Sequence, residues 1–173
     1  MIHTYHNLEN LKRLADECQD EYILFNIDGR EITFDINGER RLCQFAEYTS
    51  APLVYSHYKE RLPDKSIEMH PCIQYQKGSL RDDFDFGPLV ALKVSCLNHI
   101  ISKLNVRNYA DDGKYALRLQ LSLINPGLTL CPEYLYTVDR VDLRQSGNKQ
   151  HDYVDPRCRD YQIDMERTLT EFL

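Results

Sequence analysis

The segment GSLRDDFDFG, residues 78–87, packs Asp82, Asp83 and Asp85 closely together and threads Phe84 and Phe86 between them. In an extended chain alternate side chains share a face, so Asp83 and Asp85 point one way and Phe84 and Phe86 the other. The rings then enter the core. The acids line a cleft, where they could meet a metal or substrate, or they form a solvated edge. Clustered carboxylates repel, and their joint ionisation needs Arg81, a cation or water.

Two other stretches carry usable chemistry. FNIDG, residues 25–29, ends a run that suits a buried strand. Ligands of open α/β sheets collect at such strand ends. An acid there, Asp28, can hold Mg²⁺ or Mn²⁺ against a diphosphate, because these ions prefer oxygen ligands. The same Asp-Gly pair also reads as a simple turn. RVDLRQSGNKQ, residues 140–150, offers Arg140, Arg144, Ser146 and Lys149 as donors. They suit phosphate binding, or they belong to an ordinary polar loop.

Other chemistries leave little trace. No histidine pair forms H-x-H or H-E-x-x-H, although His57 and His70 fall on adjacent expected strands and could meet. No nucleophile elbow, Walker loop or dinucleotide fingerprint occurs, and nothing marks a Ser or Cys nucleophile.

These residues need a scaffold, and the chain is long enough to build one. Its 173 residues, 42% of them hydrophobic, suit one domain with a sizeable core. A formal net charge of -6 and the lack of a Lys/Arg run argue against a general grip on nucleic acid or an anionic membrane. The opening residues lack the pattern of a signal peptide, and no apolar stretch is long enough for a transmembrane segment. The six cysteines are far apart, with no C-x-x-C, which reads as reduced thiols in a cytoplasmic protein.

Helices and strands interleave. Leu8, Leu11, Ala15 and Cys18 recur at helical spacing behind an Asn7 cap, and Leu42, Phe45, Ala46 and Thr49 mark a second helix. Residues 22–27 read as a buried strand, joined through Asp28-Gly29 as a hairpin to an alternating strand at 31–36. Residues 51–60 read as a strand returning at 72–76, and 86–94 as another buried strand. Leu97, Ile100, Ile101 and Leu104 follow at helical spacing with Ser95 as cap. YALRLQLSLI, residues 115–124, fits strand or helix by periodicity. Residues 128–139 read as a strand, and Asp155-Pro156 starts a last helix. The pattern is an α/β fold with a mixed sheet flanked by helices.

LVYSHYKE, IQYQKGSLRDDFDFGPLVAL, YALRLQLSL and the stretch from PEYLYTVDRVDLRQSGNKQHDYVDP to the last residue resemble, in that order, bacterial family 2 glycosyltransferases. The match runs from about Leu53 onward and extends weakly back through YILFNIDG. It implies a GT-A fold, a Rossmann-like domain that binds a nucleotide-diphosphate sugar, with the N-terminal nucleotide-binding part truncated. It implies a metal site at NID, where Asn26 stands for the first acid of a D-x-D motif and Asp28 for the second, holding Mn²⁺ or Mg²⁺. It puts Asp83 or Asp85 near the acceptor. The position of the family's E-D pair falls at Gly113 and Lys114, with Asp111 and Asp112 just upstream; Asp112 is the substitute base. Arg144, Ser146 and Lys149 match the loop near the donor phosphates. The resemblance also favours a helix for YALRLQLSLI.

Two functions are therefore expected. One is transfer of a sugar from a nucleotide-sugar donor to a saccharide acceptor in glycan biosynthesis, with family 2 inversion. The other is an inactive glycosyltransferase-like module that binds a saccharide or a complete glycosyltransferase domain in the same, longer chain.

Overall fold

A computed structural model describes residues 1–104, 108–109, 111–141 and 159–173. In chain order the elements are β1 (Ile2–Thr4), α1 (Leu8–Glu17), β2 (Tyr22–Asn26), β3 (Thr33–Phe34), α2 (Gly38–Thr49), β4 (Leu53–Arg61), β5 (Ile67–His70), β6 (Leu89–Lys93), α3 (Val94–Ile101), α4 (Lys114–Leu121), β7 (Leu128–Asp139) and α5 (Arg159–Phe172). The α/β expectation holds: one mixed sheet runs β1-β2-β6-β4-β7-β3, with β5 paired to β4, and helices flank it.

The long strand β4 organises the sheet. One edge runs parallel to β7 from Leu53↔Leu128 to Arg61↔Asp139, with register shifts around His57. The other edge is divided. Leu53–Tyr55 pair with β6, and Tyr58–Arg61 pair with β5, both antiparallel. Between those two partners the chain from residue 71 to 88 turns in beside β4.

Sequence periodicity explains most elements. The Asn7 side chain accepts from the Asn10 N–H at 2.9 Å and caps α1, which buries Leu8, Leu11 and Ala15. β2 is buried at every position, as its unbroken apolar run requires. α2 lies across the sheet with Leu42 and Ala46 buried. α4 resolves the ambiguity at YALRLQLSLI as a helix. Its Tyr115 and Leu119 pack with Met165 of α5 in a second small cluster.

Four expectations fail for physical reasons. There is no hairpin at Asp28-Gly29: β3 is two residues long and pairs with β7, on the other side of the sheet. The turn is instead tied by Asn26, whose Oδ1 accepts from the Gly29 N–H and whose Nδ2 donates to the Arg30 carbonyl. Residues 72–76 form no strand, and β5 lies earlier. The Tyr55 hydroxyl, which donates to the Ile73 carbonyl and accepts from the Tyr75 N–H, holds this stretch by a side chain instead of a ladder. The 78–87 segment is a loop, not an extended strand; a turn falls at Asp82–Asp83. Finally, α3 begins at Val94, ahead of Ser95, with no side-chain cap. The last helix is described from Arg159, so its expected Asp155-Pro156 start lies outside the described residues.

Candidate functional site

The turn after β2 and the divided edge of β4 enclose a cleft of about 360 Å³. Ile27, Asp28 and Arg30 come from the turn, Tyr58 and Glu60 from β4, and Phe84 to Gly87 from the acidic loop, with Val141 at the margin. Strand alternation puts Tyr58 and Glu60 on one face of β4, which is why both reach it.

The charges are paired in a chain. Asp28 Oδ1 accepts from the Arg30 N–H at 3.0 Å, and Oδ2 accepts from Arg30 Nε at 2.8 Å. Arg30 Nη1 donates to Glu60 Oε1 at 3.0 Å. Glu60 Oε2 accepts from Arg140 Nε at 2.8 Å, and Arg140 Nη2 reaches Glu68 at 2.6 Å. Burial works against the Arg30 cation, but Asp28, Glu60 and Tyr58 outweigh it and hold its pKa above the ordinary value. Burial likewise raises the Glu60 carboxyl, yet hydrogen bonds from Arg140 and Arg30 prevail and keep it below its usual range.

Aromatic packing fixes the opposite wall. The Tyr58 ring is stacked between His70, at 4.4 Å between centroids, and Tyr136, at 5.8 Å. Burial and the nearby Asp85 push the Tyr58 hydroxyl pKa well up. His70 Nε2 lies 2.9 Å from Asp85 Oδ2, and Asp85 Oδ1 accepts from the Gly87 N–H at 2.7 Å. Phe86 is buried, with its ring 4.6 Å from Phe84 and 5.0 Å from Tyr55. The phenylalanines thus anchor the acidic loop, as their spacing suggested, although the backbone is not a strand. Gly87 has φ +70°, and a Cβ there would lie 2.7 Å from the Tyr136 hydroxyl. Only glycine lets the loop pass this close.

The sequence candidates separate. Asp28 and Asp85 share the cleft. Asn26 is buried beneath it, with its amide committed to the turn. Asp83 is exposed and held by both Nε and Nη2 of Arg81 at 2.8 Å each. Asp112 sits before α4 and gives its backbone carbonyl to the Tyr5 hydroxyl. Gly113 is the N-cap of α4, and Asp111, two residues ahead of it, ties the helix start by accepting from the N–H groups of Gly113 and Tyr115. His57 accepts from the Cys72 N–H at 3.1 Å, and burial lowers its pKa, so it is not paired with His70. Arg144, Ser146 and Lys149 lie outside the described residues.

The turn as it stands leaves a divalent cation little uncompensated charge. Both Asp28 oxygens face Arg30, and the Asn26 carbonyl oxygen faces Gly29. A metal on the remaining lone pairs would sit beside a guanidinium that already balances the Asp28 charge. Among the described residues no group of three or more His, Cys, Asp and Glu side chains is arranged to hold a metal ion. Nor is any helix long and apolar enough to cross a membrane.

Sequence reasoning missed Arg30 and Glu60. The D-G-R spacing of Asp28 to Arg30 was the available signal for the first, and alternation with Tyr58 along β4 for the second. No protein-family model matches the chain, and no curated protein matches it.

Proposed function

We propose that this chain is a glycosyltransferase-like module that binds a neutral saccharide in the cleft and does not itself transfer a sugar. The carrying observation is that Asp28, the acid expected to hold a metal, has its charge paired with Arg30. The charge balance agrees. Asp28, Glu60 and Asp85 line the cleft with Arg30 as the one lining cation among the described residues, and Arg140 pairs with Glu60 from behind the lining. A nucleotide diphosphate would meet no cation free of a carboxylate partner among the described lining residues, whereas sugar hydroxyls can donate to the lone pairs that these ion pairs leave free. Ile27, Phe84 and Val141 supply apolar surface for the ring carbons. The ligand class rests on the sequence resemblance from about Leu53 onward, which also favours a complete glycosyltransferase domain as the module's partner.

One observation favours the transferase reading. Asp85, backed by His70, faces the same cleft as Asp28, which is where a general base would meet an acceptor hydroxyl. That reading requires Mn²⁺ or Mg²⁺ to share Asp28 with Arg30 or to displace it.

A glycan array of neutral and acidic oligosaccharides, followed by thermal shifts, separates the two. The module reading expects metal-independent glycan binding that is weakened in Phe84→Ala, and no response to UDP- or GDP-sugars. A Mn²⁺-dependent nucleotide-sugar shift that disappears in Asp28→Ala would establish a donor site instead. If no glycan binds, the module reading is wrong.

A further inference from the structure

Away from the cleft, on α4, Arg118 is 5% exposed, and its Nε, Nη1 and Nη2 have no hydrogen-bond partner among the described residues. A buried guanidinium with none of its donors satisfied is unusual, because both the charge and the N–H groups have left water uncompensated. Its carbon lies 4.9 Å from the centre of the Tyr115 ring, which supports the cation through its face. Burial lowers its pKa, partly offset by the nearby Tyr75, Tyr115, Asp82 and Asp83.

The neighbouring hydroxyl protons and the Asp83 charge are engaged elsewhere. The Tyr75 hydroxyl donates to the Ser79 carbonyl at 2.7 Å, and the Tyr115 hydroxyl to the Leu80 carbonyl at 2.6 Å. Both carboxylate oxygens of Asp83 are held by Arg81. Asp82 is exposed and makes no hydrogen bond to the guanidinium.

We infer that Arg118 is the anchor of a binding site for a singly charged oxyanion, a carboxylate or phosphodiester group, on the α4 side of the 78–87 loop. The planar fork left open by Nε and the two Nη groups matches two oxygens of such a group. A neutral ligand would satisfy donors but leave the buried charge. A doubly charged phosphate monoester would meet repulsion from Asp82 and Asp83. This site does not depend on the saccharide reading of the cleft.

The side-chain Nε–H of Arg118 gives a direct readout by ¹H–¹⁵N NMR, assigned by its loss in Arg118→Met. Titration with acetate and with dimethyl phosphate, at ionic strength matched with sodium chloride, should move that resonance saturably. The same anions should raise the melting temperature of the wild type and not of Arg118→Met. A response to acetate alone identifies a carboxylate site, and a response to dimethyl phosphate identifies a phosphodiester site. If Arg118→Met does not fold, the wild-type titration still decides. A resonance that ignores both anions, or follows chloride equally, overturns the inference. So does one that responds only to Asp82→Asn, which would make the loop acid the partner.

Discussion

Arg30 satisfies both carboxylate oxygens of Asp28, one through its backbone N–H at 3.0 Å and the other through Nε at 2.8 Å. Its remaining reach goes to Glu60 on a different strand. The side chains of all three are less than a fifth exposed. Arg30→Met leaves two buried acids without the cation between them and should cost about 3 kcal/mol. Arg30→Lys should recover only part of that, because an ammonium lacks the fork. Urea denaturation measures both, and a Met variant as stable as the wild type would remove the triad from the account.

Glu60 gives stability a definite pH dependence. Its folded pKa lies below the ordinary 4.5, since Arg140 and Arg30 outweigh the effect of burial. A depressed folded value means the contribution is complete above about pH 4.5 and is lost as pH falls through the folded pKa. Urea midpoints of the wild type and Glu60→Gln, followed from neutral pH to about pH 3, should therefore converge at the acid end. A gap that stays constant to the lowest pH would contradict this.

Asp111 has the opposite sign. Burial raises its pKa in spite of the N–H groups of Tyr115 and Gly113. The folded form holds the proton more tightly, so this group favours folding at low pH, and that advantage is lost as pH rises through the folded value. At neutral pH Asp111→Asn, which keeps an acceptor oxygen and loses the charge, should stay within about 1 kcal/mol of the wild type. Asp111→Ala should lose about 1–2 kcal/mol through the missing acceptor. Equal losses in the two variants would mean that the charge, not the acceptor, matters.

Gly87→Ala tests the close passage of the acidic loop. The added carbon meets the Tyr136 hydroxyl and the Tyr58 ring in a left-handed backbone conformation. The expected loss is about 2 kcal/mol or more. Glycan binding should weaken with it, because Tyr58 lines the cleft. A variant with wild-type stability and binding would show that the loop can move aside freely.

The sequence made the large elements legible because their periodicity is local. LTLCPEYLYTVD coincides with β7, and the stripes of α1 and α2 lie where they were expected. The failures come from partners that are distant in sequence. β3 depends on Tyr136 for its place, and β1 is three residues with no alternation to read. In the site, Asp28 and Asp85 were recognisable as acids. That Asp28 is bound by Arg30, and Arg30 by Glu60, depends on β4 lying beside the turn, which no local pattern encodes. At YALRLQLSLI two periods coexist, and packing against α3, the main core and α5 decides between them.

The divided edge of β4 also sets a schedule for synthesis. β5 and β6 follow β4 soon in the chain and can close its antiparallel side early. The parallel side waits for residues 128–139, and a parallel partner cannot arrive by a tight hairpin. A nascent chain on the ribosome therefore carries an open, apolar strand edge through the translation of β5, β6, α3 and α4. That interval is when the polypeptide is most vulnerable to pairing with the wrong strand, and when a holding chaperone would matter most.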